Sequence, residues 1–268
     1  MEELFGDVGE YTVTFKPRIG WGTIGQVYKA TNKNNNSKVA VKKVSFRQGG
    51  GEKDIGLIAI AEREIKALRF LQEHENIIRL YDHTVQDNSY YLFMEYAELA
   101  DLKAYLTKNS NLGLIQKLKI MQESSSAVAF MHSHNPQIIH HDIELENILM
   151  TKENGNDVVR LIDFGSAEIC DNHFGGIRSL STCVGNHAVT IECGTELYQA
   201  PELFDEDCSA YNASVDTFAL GCVFAVVHEL SPDHQIYLPL SGKVFIQQYY
   251  LTFFFVLEDH IFMSKYSF

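Results

Sequence analysis

The stretch that most constrains the fold runs from residue 140 to residue 165 and reads HHDIELENILMTKENGNDVVRLIDFG. Two apolar runs, 148–150 and 158–162, flank a polar turn at Gly155 and Asn156, a pattern that predicts a β-hairpin. Such a hairpin would bring Asp163 back beside Asp142 and Asn147. Two carboxylates and an amide tolerate one another best around a cation, and Mg²⁺ prefers hard oxygen ligands of this kind. The stretch therefore predicts a site for a metal ion and a phosphate.

Composition excludes several classes of protein. With 268 residues, 46% of them hydrophobic, the chain can form one large domain or two small lobes. Its net charge of −13 argues against non-specific binding to nucleic acid or to anionic membranes. The five cysteines show no C-x-x-C spacing, which favours reduced thiols. There is no signal-peptide pattern, and the longest apolar run, 249–257, is too short to span a bilayer. We therefore expect a soluble cytoplasmic or nuclear protein.

Residues 11–46 contain three stretches of strand-forming character, YTVTFKPRI, QVYKAT and KVAVKKVSF. The first two flank GWGTIG, which contains Gly20, Gly22 and Gly25. Glycines let the backbone approach a phosphate closely and point its amide donors at it. The same spacing occurs in ordinary turns, and because it opens no helix a dinucleotide-binding motif is disfavoured.

Lys42 and Glu64 are charged residues on faces that the pattern predicts to be buried. In the third strand Lys42 shares a face with Ala40 and Val44. In the helical pattern of residues 58–72, Glu64 lies on the apolar stripe. Because a buried charge is costly unless it meets an opposite charge, we expect the two to pair. The alternative is that both side chains lie in solvent.

The rest of the chain changes character at Ala97. Before it, residues 77–81 and 90–96 predict two further strands. After it, apolar residues recur at helical intervals, as between Leu114 and Met131. A strand-rich part followed by a helical part predicts two lobes, with a ligand site in the cleft between them.

Six motifs, in this order, together resemble the protein kinase family. They are GWGTIGQV, VAVK, HHDIELEN, DFG, CGTELYQAPELF at 193–204 and SVDTFALGCVFAVVHEL at 214–230. The resemblance implies an α+β, two-lobed protein kinase-like fold: a small antiparallel sheet with one main helix, and a mainly helical large lobe whose C-terminal part is incomplete. The implied division is an N-terminal lobe at 1–97, a C-terminal lobe at 98–240 and a divergent tail at 241–268. The kinase domain itself would span about 11–240.

The resemblance also implies the residues that bind ATP. The glycines would cover the phosphates, two apolar side chains would pack on the adenine, and the backbone near the end of a strand would bind the adenine edge, beside a gatekeeper methionine. The implied set is Ile19, Gly20, Gly22, Gly25, Val27, Ala40, Lys42, Met94 (the gatekeeper), Glu95 and Ala97.

The catalytic roles follow from the same resemblance. Lys42, braced by Glu64, would hold the α- and β-phosphates. Asp142 would accept the proton of the substrate hydroxyl, and Asn147 and Asp163 would hold Mg²⁺. The implied activity is transfer of the γ-phosphate of ATP to a protein hydroxyl.

Specificity and partners are implied less directly. Thr195 in the GTxxYxAPE pattern suggests a serine/threonine kinase, and the helix sequence resembles the cyclin-dependent kinase-like branch. Its partners would be a protein substrate and a cyclin-like or other regulatory protein. That branch usually has an arginine where Gln199 stands, which argues against proline-directed specificity.

Three departures from the family pattern leave alternatives open. His141 replaces an arginine that commonly receives an activating phosphate, and Glu144 replaces a lysine near the transferred phosphate. Residues 231–268 contain no arginine and no family motif. The chain could be an active kinase of reduced rate, a pseudokinase that binds nucleotide or a partner, or a product without a stable fold.

Overall fold

A computed structural model of the chain describes residues 4–22, 24–47, 51–170, 178–179, 196–203 and 210–229. Within these ranges the helices are α1 (Ile55–Leu71), α2 (Leu102–Lys108), α3 (Leu114–Ser133) and α4 (Ser214–Glu229). The strands are β1 (Leu4–Val8), β2 (Tyr11–Lys16), β3 (Gly20–Gly22), β4 (Gly25–Asn32), β5 (Lys38–Ser45), β6 (Leu80–Gln86), β7 (Ser89–Glu95), β8 (Ala100–Asp101), β9 (Gln137–Ile139), β10 (Ile148–Glu153), β11 (Asn156–Leu161), β12 (Glu168–Cys170), β13 (Arg178–Ser179) and β14 (Ala210–Tyr211).

The N-terminal lobe is one antiparallel sheet in the order β1-β2-β4-β5-β7-β6, with β3 paired to β4. Alternation of apolar and polar residues along β2 and β5 buries Val13 and Val41 on one face. Tyr11 stacks on Phe93 with ring centroids 3.8 Å apart. The predicted small antiparallel sheet is therefore confirmed.

Two details of this sheet differ from expectation. β1 was not predicted, because LFGDV carries no apolar alternation. The strand expected at 77–81 begins only at Leu80 and continues to Gln86. Ile77 and Ile78 precede this strand. Both are buried in the core of the large lobe, and Ile77 forms an isolated bridge with Leu161.

Helix α1 begins where the Asp54 side chain accepts a hydrogen bond from the backbone N–H of Leu57 at 3.1 Å. Its buried face consists of Ala61, Glu64, Ile65, Ala67, Leu68 and Leu71. The helical periodicity was predicted correctly. Glu64 is the one carboxylate on this face, and it is buried because its apolar neighbours pack into the protein interior.

The large lobe packs α3 and α4 against the β10–β11 hairpin and α2 in one hydrophobic cluster. The hairpin is confirmed, with Ile148 opposite Leu161. Its turn lies at Asn154 and Gly155, both of which have positive φ (51° and 82°), so the turn falls one residue earlier than expected.

Some sequence predictions lie outside the described residues. These are the two ends of the motif at 193–204, namely residues 193–195 (which include Thr195) and Phe204, and the tail at 241–268. Of the five cysteines, Cys170 and Cys222 lie within the described ranges; both are buried, and no disulfide bond joins them. In the part of the chain that the structure describes, no helix is both long enough and apolar enough to cross a membrane.

A pair of leucine substitutions tests the packing of α1. Leu68 is fully buried, whereas Leu114, at the start of α3, is 65% exposed. Leu68→Ala should lower the free energy of unfolding by about 3 kcal/mol because it leaves a cavity in the core. Leu114→Ala should change it by less than about 0.5 kcal/mol. Urea unfolding of both variants is the measurement, and equal losses would contradict this packing.

Candidate active site

Lys42, Glu64 and Asp163 form a buried cluster where the two lobes meet. Lys42 projects from β5, and its Nζ lies 2.9 and 2.8 Å from the two carboxylate oxygens of Glu64 on α1. The same Nζ lies 2.7 Å from Oδ1 of Asp163, which follows β11. Lys42 is 2% exposed and Glu64 is 1% exposed. The expected pairing of Lys42 with Glu64 is therefore present, and it extends to Asp163.

The two carboxylates of this cluster stabilise the charge of Lys42. Burial alone would lower the pKa of Lys42, but the attraction of Glu64 and Asp163 outweighs it and raises that pKa. Lys42 is consequently a cation at neutral pH. Removing one partner from such a buried cluster costs about 3–5 kcal/mol because it leaves an uncompensated charge.

The backbone at Asp163 and Gly165 fits closely against α1. Asp163 is in the left-handed region (φ 61°), and its Oδ1 accepts a hydrogen bond from the Gly165 N–H at 3.4 Å. A Cβ on Gly165 would lie 3.3 Å from both Asp163 Oδ1 and a methyl carbon of Ile60. Glycine therefore lets α1 pack directly against the loop that carries Asp163.

The glycine-rich sequence forms the β3–β4 hairpin. Gly20 pairs with Val27, Gly22 pairs with Gly25, and the Ile19 N–H donates to the Val27 carbonyl at 2.9 Å. Val27 in turn lies opposite Lys42 in β5. A Cβ on Gly25 would approach the Lys43 carbonyl oxygen to 2.8 Å, so only glycine fits there. The hairpin therefore lies directly beside the strand that carries Lys42.

Asp142 and Asn147 lie on the loop between β9 and β10. Asn147 Nδ2 donates to the backbone oxygen and to Oδ2 of Asp142, both at 2.9 Å. The Ile162 N–H donates to the Asn147 carbonyl at 3.0 Å, which places Asp163 beside this loop. The hairpin thus brings Asp142, Asn147 and Asp163 together as the sequence predicted.

Asn147 and Asp163 can supply some, but not all, of the oxygen ligands that a hard cation needs. The side-chain hydrogen bonds of Asn147 use its Nδ2, so its amide oxygen is the atom suited to a metal. No group of three His, Cys, Asp or Glu side chains within the described ranges is arranged to hold a metal ion alone. A cation between Asn147 and Asp163 would therefore need further oxygens from a bound phosphate, the usual case for Mg²⁺.

The end of β7 lies beside this site and contains the residues expected at the adenine. Ala40 in β5 pairs with Met94, and Glu95 ends the strand. Ala97 lies in the segment between β7 and β8. The Glu95 N–H donates to the Arg79 carbonyl at 2.9 Å, which fixes this backbone in place.

Two charged residues near the site, Arg160 and Asp216, were not predicted from the sequence. Arg160, which is buried on β11, donates through Nε to both carboxylate oxygens of Glu95 at 3.0 Å, and through Nη2 to Glu153 at 3.2 Å. Glu95 and Arg160 are 65 positions apart in sequence, so neither residue alone predicts the pair.

Asp216 is the other residue that was missed. It lies in α4, is fully buried, and accepts hydrogen bonds from the backbone N–H groups of His140 and His141 at 2.7 and 2.9 Å. His132 Nε2 lies 2.9 Å from its Oδ2. A carboxylate in the first turn of a mostly apolar helix was the sequence feature that could have revealed it. Asp216 therefore anchors the loop that carries Asp142.

His141 is held by several groups in addition to Asp216. Its backbone is left-handed (φ 67°), and its Nε2 lies 3.5 Å from Oε2 of Glu168. The Tyr211 hydroxyl donates to the same oxygen at 2.8 Å, and the Tyr211 ring packs edge-on against His141. The residue that replaces the family arginine therefore faces a carboxylate.

The geometry brings a buried lysine, a glycine hairpin and an acidic loop together where the two lobes meet. Comparison with known proteins identifies the family. Residues 13–236 match the protein kinase domain. The chain is 34% identical over 220 residues to cyclin-dependent kinase 1 of Encephalitozoon cuniculi. It is 30% identical over 211 residues to calcium-dependent protein kinase 5 of Plasmodium berghei, and 30% identical over 226 residues to a probable serine/threonine-protein kinase of Dictyostelium discoideum.

These matches cover 80, 77 and 81% of this chain, and 66, 34 and 19% of those relatives, so the chain spans less than two thirds of the length of each. The family model covers most of the chain, and the chain belongs to the protein kinase family. Members of this family transfer phosphate from ATP, generally with a divalent metal ion.

The anchor at Asp216 predicts a specific dependence of stability on pH. Burial opposes ionisation of Asp216, but the hydrogen bond from His132 and the nearby charge of His141 outweigh it, and its pKa lies below the ordinary value of 3.8. Between these two pKa values the unfolded state binds more protons than the folded state. The stability contributed by Asp216 is therefore present above about pH 4 and is lost as the pH falls through the folded pKa.

Asp216→Asn should accordingly reduce the slope of unfolding free energy against pH in the range from about pH 5 to pH 3. Urea unfolding at several pH values measures this slope. Asp7→Asn, at an exposed residue of β1, is the matched control and should retain the wild-type slope. Identical slopes in both variants would contradict the role of Asp216.

Proposed function

We propose that the protein is a serine/threonine kinase that transfers the γ-phosphate of ATP to a protein hydroxyl in the presence of Mg²⁺. The observation that carries the proposal is the contact of Lys42 with both Glu64 and Asp163 at 2.7–2.9 Å. A buried cation beside a glycine hairpin and an acidic loop is the arrangement that phosphoryl transfer needs.

In this proposal the nucleotide lies between the β3–β4 hairpin and the end of β7. The hairpin glycines approach the phosphates, and Lys42 binds the α- and β-phosphates while Glu64 holds it in place. Ile19, Val27 and Ala40 contact the adenine ring, with Met94 behind it. Backbone groups of Glu95 and Ala97 bind its edge.

The chemical step is a displacement at phosphorus. The substrate hydroxyl oxygen forms a bond to the γ-phosphorus, while the bond from that phosphorus to the oxygen bridging to the β-phosphate breaks. ADP leaves with the electron pair of that bond, and the hydroxyl proton passes to Asp142. Asn147 orients Asp142 through its two hydrogen bonds of 2.9 Å.

Asn147 and Asp163 are the residues proposed to hold Mg²⁺. When bound, the metal neutralises charge on the β- and γ-phosphates during transfer. Side-chain contacts support the assignment, because the Asp163 carboxylate contacts Lys42 and Gly165 and the Asn147 amide contacts Asp142.

The finer assignments are supported by resemblance. The name of the Dictyostelium relative includes serine/threonine specificity, and that of the Encephalitozoon relative is a cyclin-dependent kinase. We therefore propose Ser/Thr acceptors, a cyclin-like or other regulatory protein as partner, and a cytoplasmic or nuclear location. We also propose lobes at 1–97 and 98–240, followed by a divergent tail.

A second candidate function is favoured by one observation. Glu144 places a carboxylate two residues after Asp142, where it repels the transferred phosphate. A regulatory module that binds nucleotide and transfers little phosphate would carry such a residue without cost. The two candidates differ in whether transfer depends on Asp142.

Asp142→Asn should lower the rate of transfer to a generic protein substrate by about 10²–10⁴-fold, because the hydroxyl proton loses its acceptor. Incorporation of labelled phosphate from ATP is the measurement, and Asp7→Asn serves as a control at an exposed site. If the wild-type rate does not exceed that of Asp142→Asn, the chain is the regulatory module.

Removal of divalent metal should abolish transfer, and added Mg²⁺ should restore it. A readout independent of turnover is the thermal unfolding midpoint, which should rise more with ATP and Mg²⁺ than with ATP and EDTA, because a ligand that binds only the folded state stabilises it. Asn147→Ala should require about tenfold more Mg²⁺ for the same rise. Equal midpoints with Mg²⁺ and with EDTA would contradict the metal assignment, and a transition that is not cooperative would indicate an unstable fold.

A further inference from the structure

The β10–β11 hairpin of the large lobe holds both ends of the segment that joins the two lobes. This segment, residues 95–101, runs from the last residue of β7 through β8. At its far end β8 pairs with β10, and the Leu99 N–H donates to the Met150 carbonyl at 3.3 Å. At its near end Arg160 of β11 donates through Nε to both carboxylate oxygens of Glu95 at 3.0 Å. The residues between these two contacts include Ala97, which is proposed to bind the adenine.

Arg160 is a rigidly held donor. Its Nη1 donates to the Val159 carbonyl and its Nη2 to Oε2 of Glu153, both at 3.2 Å, and the residue is only 4% exposed. Val159 and Leu161, on either side of it in β11, belong to the hydrophobic cluster of the large lobe. A planar guanidinium that is already oriented by other acceptors loses little further freedom when it binds a carboxylate. The Glu95 side chain is therefore tied to the core of the large lobe.

The main chain of Glu95 is tied to the small lobe. Its N–H donates to the Arg79 carbonyl at 2.9 Å, and it faces Val39 in the pair that ends the β5–β7 ladder. The Glu95 side chain is only 16% exposed, so its attraction to Arg160 is stronger than it would be in open solvent. One residue thus links the two lobes, with its main chain fixed by the small lobe and its side chain fixed by the large lobe. Removing Arg160 would release the second of these restraints.

We propose that Arg160 is a positioning residue for nucleotide binding, which acts by holding the Glu95 carboxylate so that the main chain of residues 95–97 stays in the conformation that contacts the adenine. The inference rests on the nucleotide site of the proposed function. A main chain that is ordered before the ligand arrives loses less freedom on binding, which increases affinity. The hydrogen bonds of Arg160 go to Glu95, Glu153 and Val159, so the residue affects affinity and not the chemical step.

Arg160→Met should raise the Kd of the nucleotide by about three- to tenfold, because it removes the donors while keeping an unbranched side chain of similar length. The Kd is measured by titration with ATP that carries a fluorescent ribose label, in the presence of Mg²⁺ and without a protein substrate. In steady-state assays with a generic protein substrate, the KM for ATP should rise by the same factor, while kcat changes by less than about twofold.

Further variants show whether Arg160 acts through Glu95. Glu95→Gln alone should raise the Kd by at least about threefold, and it decides the matter if Arg160→Met does not fold, because Arg160 then keeps its contact with Glu153. The double variant should bind nucleotide no more weakly than the weaker single variant, since both changes remove one interaction. Arg160→Lys keeps the positive charge and should restore part of the affinity that Arg160→Met loses.

Lys152→Met is the matched control. Lys152 lies on the same hairpin and forms an ion pair with Asp157 at 2.7 Å, at a position that does not touch residues 95–101. This variant removes one hairpin cation, as Arg160→Met does, and should keep the wild-type Kd. Thermal unfolding without nucleotide gives the stability of each variant, so that a loss of affinity is separated from a loss of folded protein.

The outcomes separate this inference from the kinase assignment. An unchanged Kd in folded Arg160→Met and in Glu95→Gln overturns the inference and leaves the kinase assignment intact, and so does an equal loss of affinity in Lys152→Met. A fall in kcat at unchanged Kd would place Arg160 in the chemical step and also overturn the inference. Arg160-dependent nucleotide binding without any phosphate transfer overturns the kinase assignment and keeps the inference. A wild-type chain that binds no nucleotide overturns both.

Discussion

The structure depends first on the contact of one buried ammonium group with two carboxylates. Lys42, Glu64 and Asp163 come from a strand of the small lobe, from its helix, and from the loop after the β10–β11 hairpin, and they meet within 2.9 Å. None of these charges would be tolerated in the interior alone. The attraction of the single ammonium group for both carboxylates therefore fixes α1 against β5 and joins the small lobe to the loop that carries the metal-binding candidates.

A second buried charge, that of Asp216, fixes the position of a loop in the large lobe. Asp216 brings an acceptor to the backbone N–H groups of His140 and His141, which no strand or helix satisfies. Burial of α4 in the hydrophobic cluster holds that carboxylate in place. The position of Asp142 consequently depends on a residue far along the chain, and the left-handed backbone of His141 is maintained by these hydrogen bonds.

Local periodicity was sufficient to predict the elements but not their distant partners. The hairpin after Asn147, the apolar face of α1 and the burial of Lys42 follow from alternation and helical spacing, which act within a few residues. The predicted beginning of β6 was wrong, because Ile77 and Ile78 are buried in the core of the large lobe and are not part of the sheet. The pairing of Arg160 with Glu95 and the role of Asp216 were missed, because each depends on residues brought together only by the complete fold.

The two halves of the site differ in how far their charges can change. On the phosphate side every charge is buried and paired, so reversing one would cost several kcal/mol of folding free energy, about 3–5 for a broken buried pair. On the acceptor side, Glu144 is only half-buried at the edge of the loop. There solvent reduces the cost of a charge in the folded protein, while the field still reaches the reacting atoms. A charge reversal at this edge therefore costs little folding free energy, so a chain with an intact phosphate-binding half can carry glutamate where the family usually has lysine.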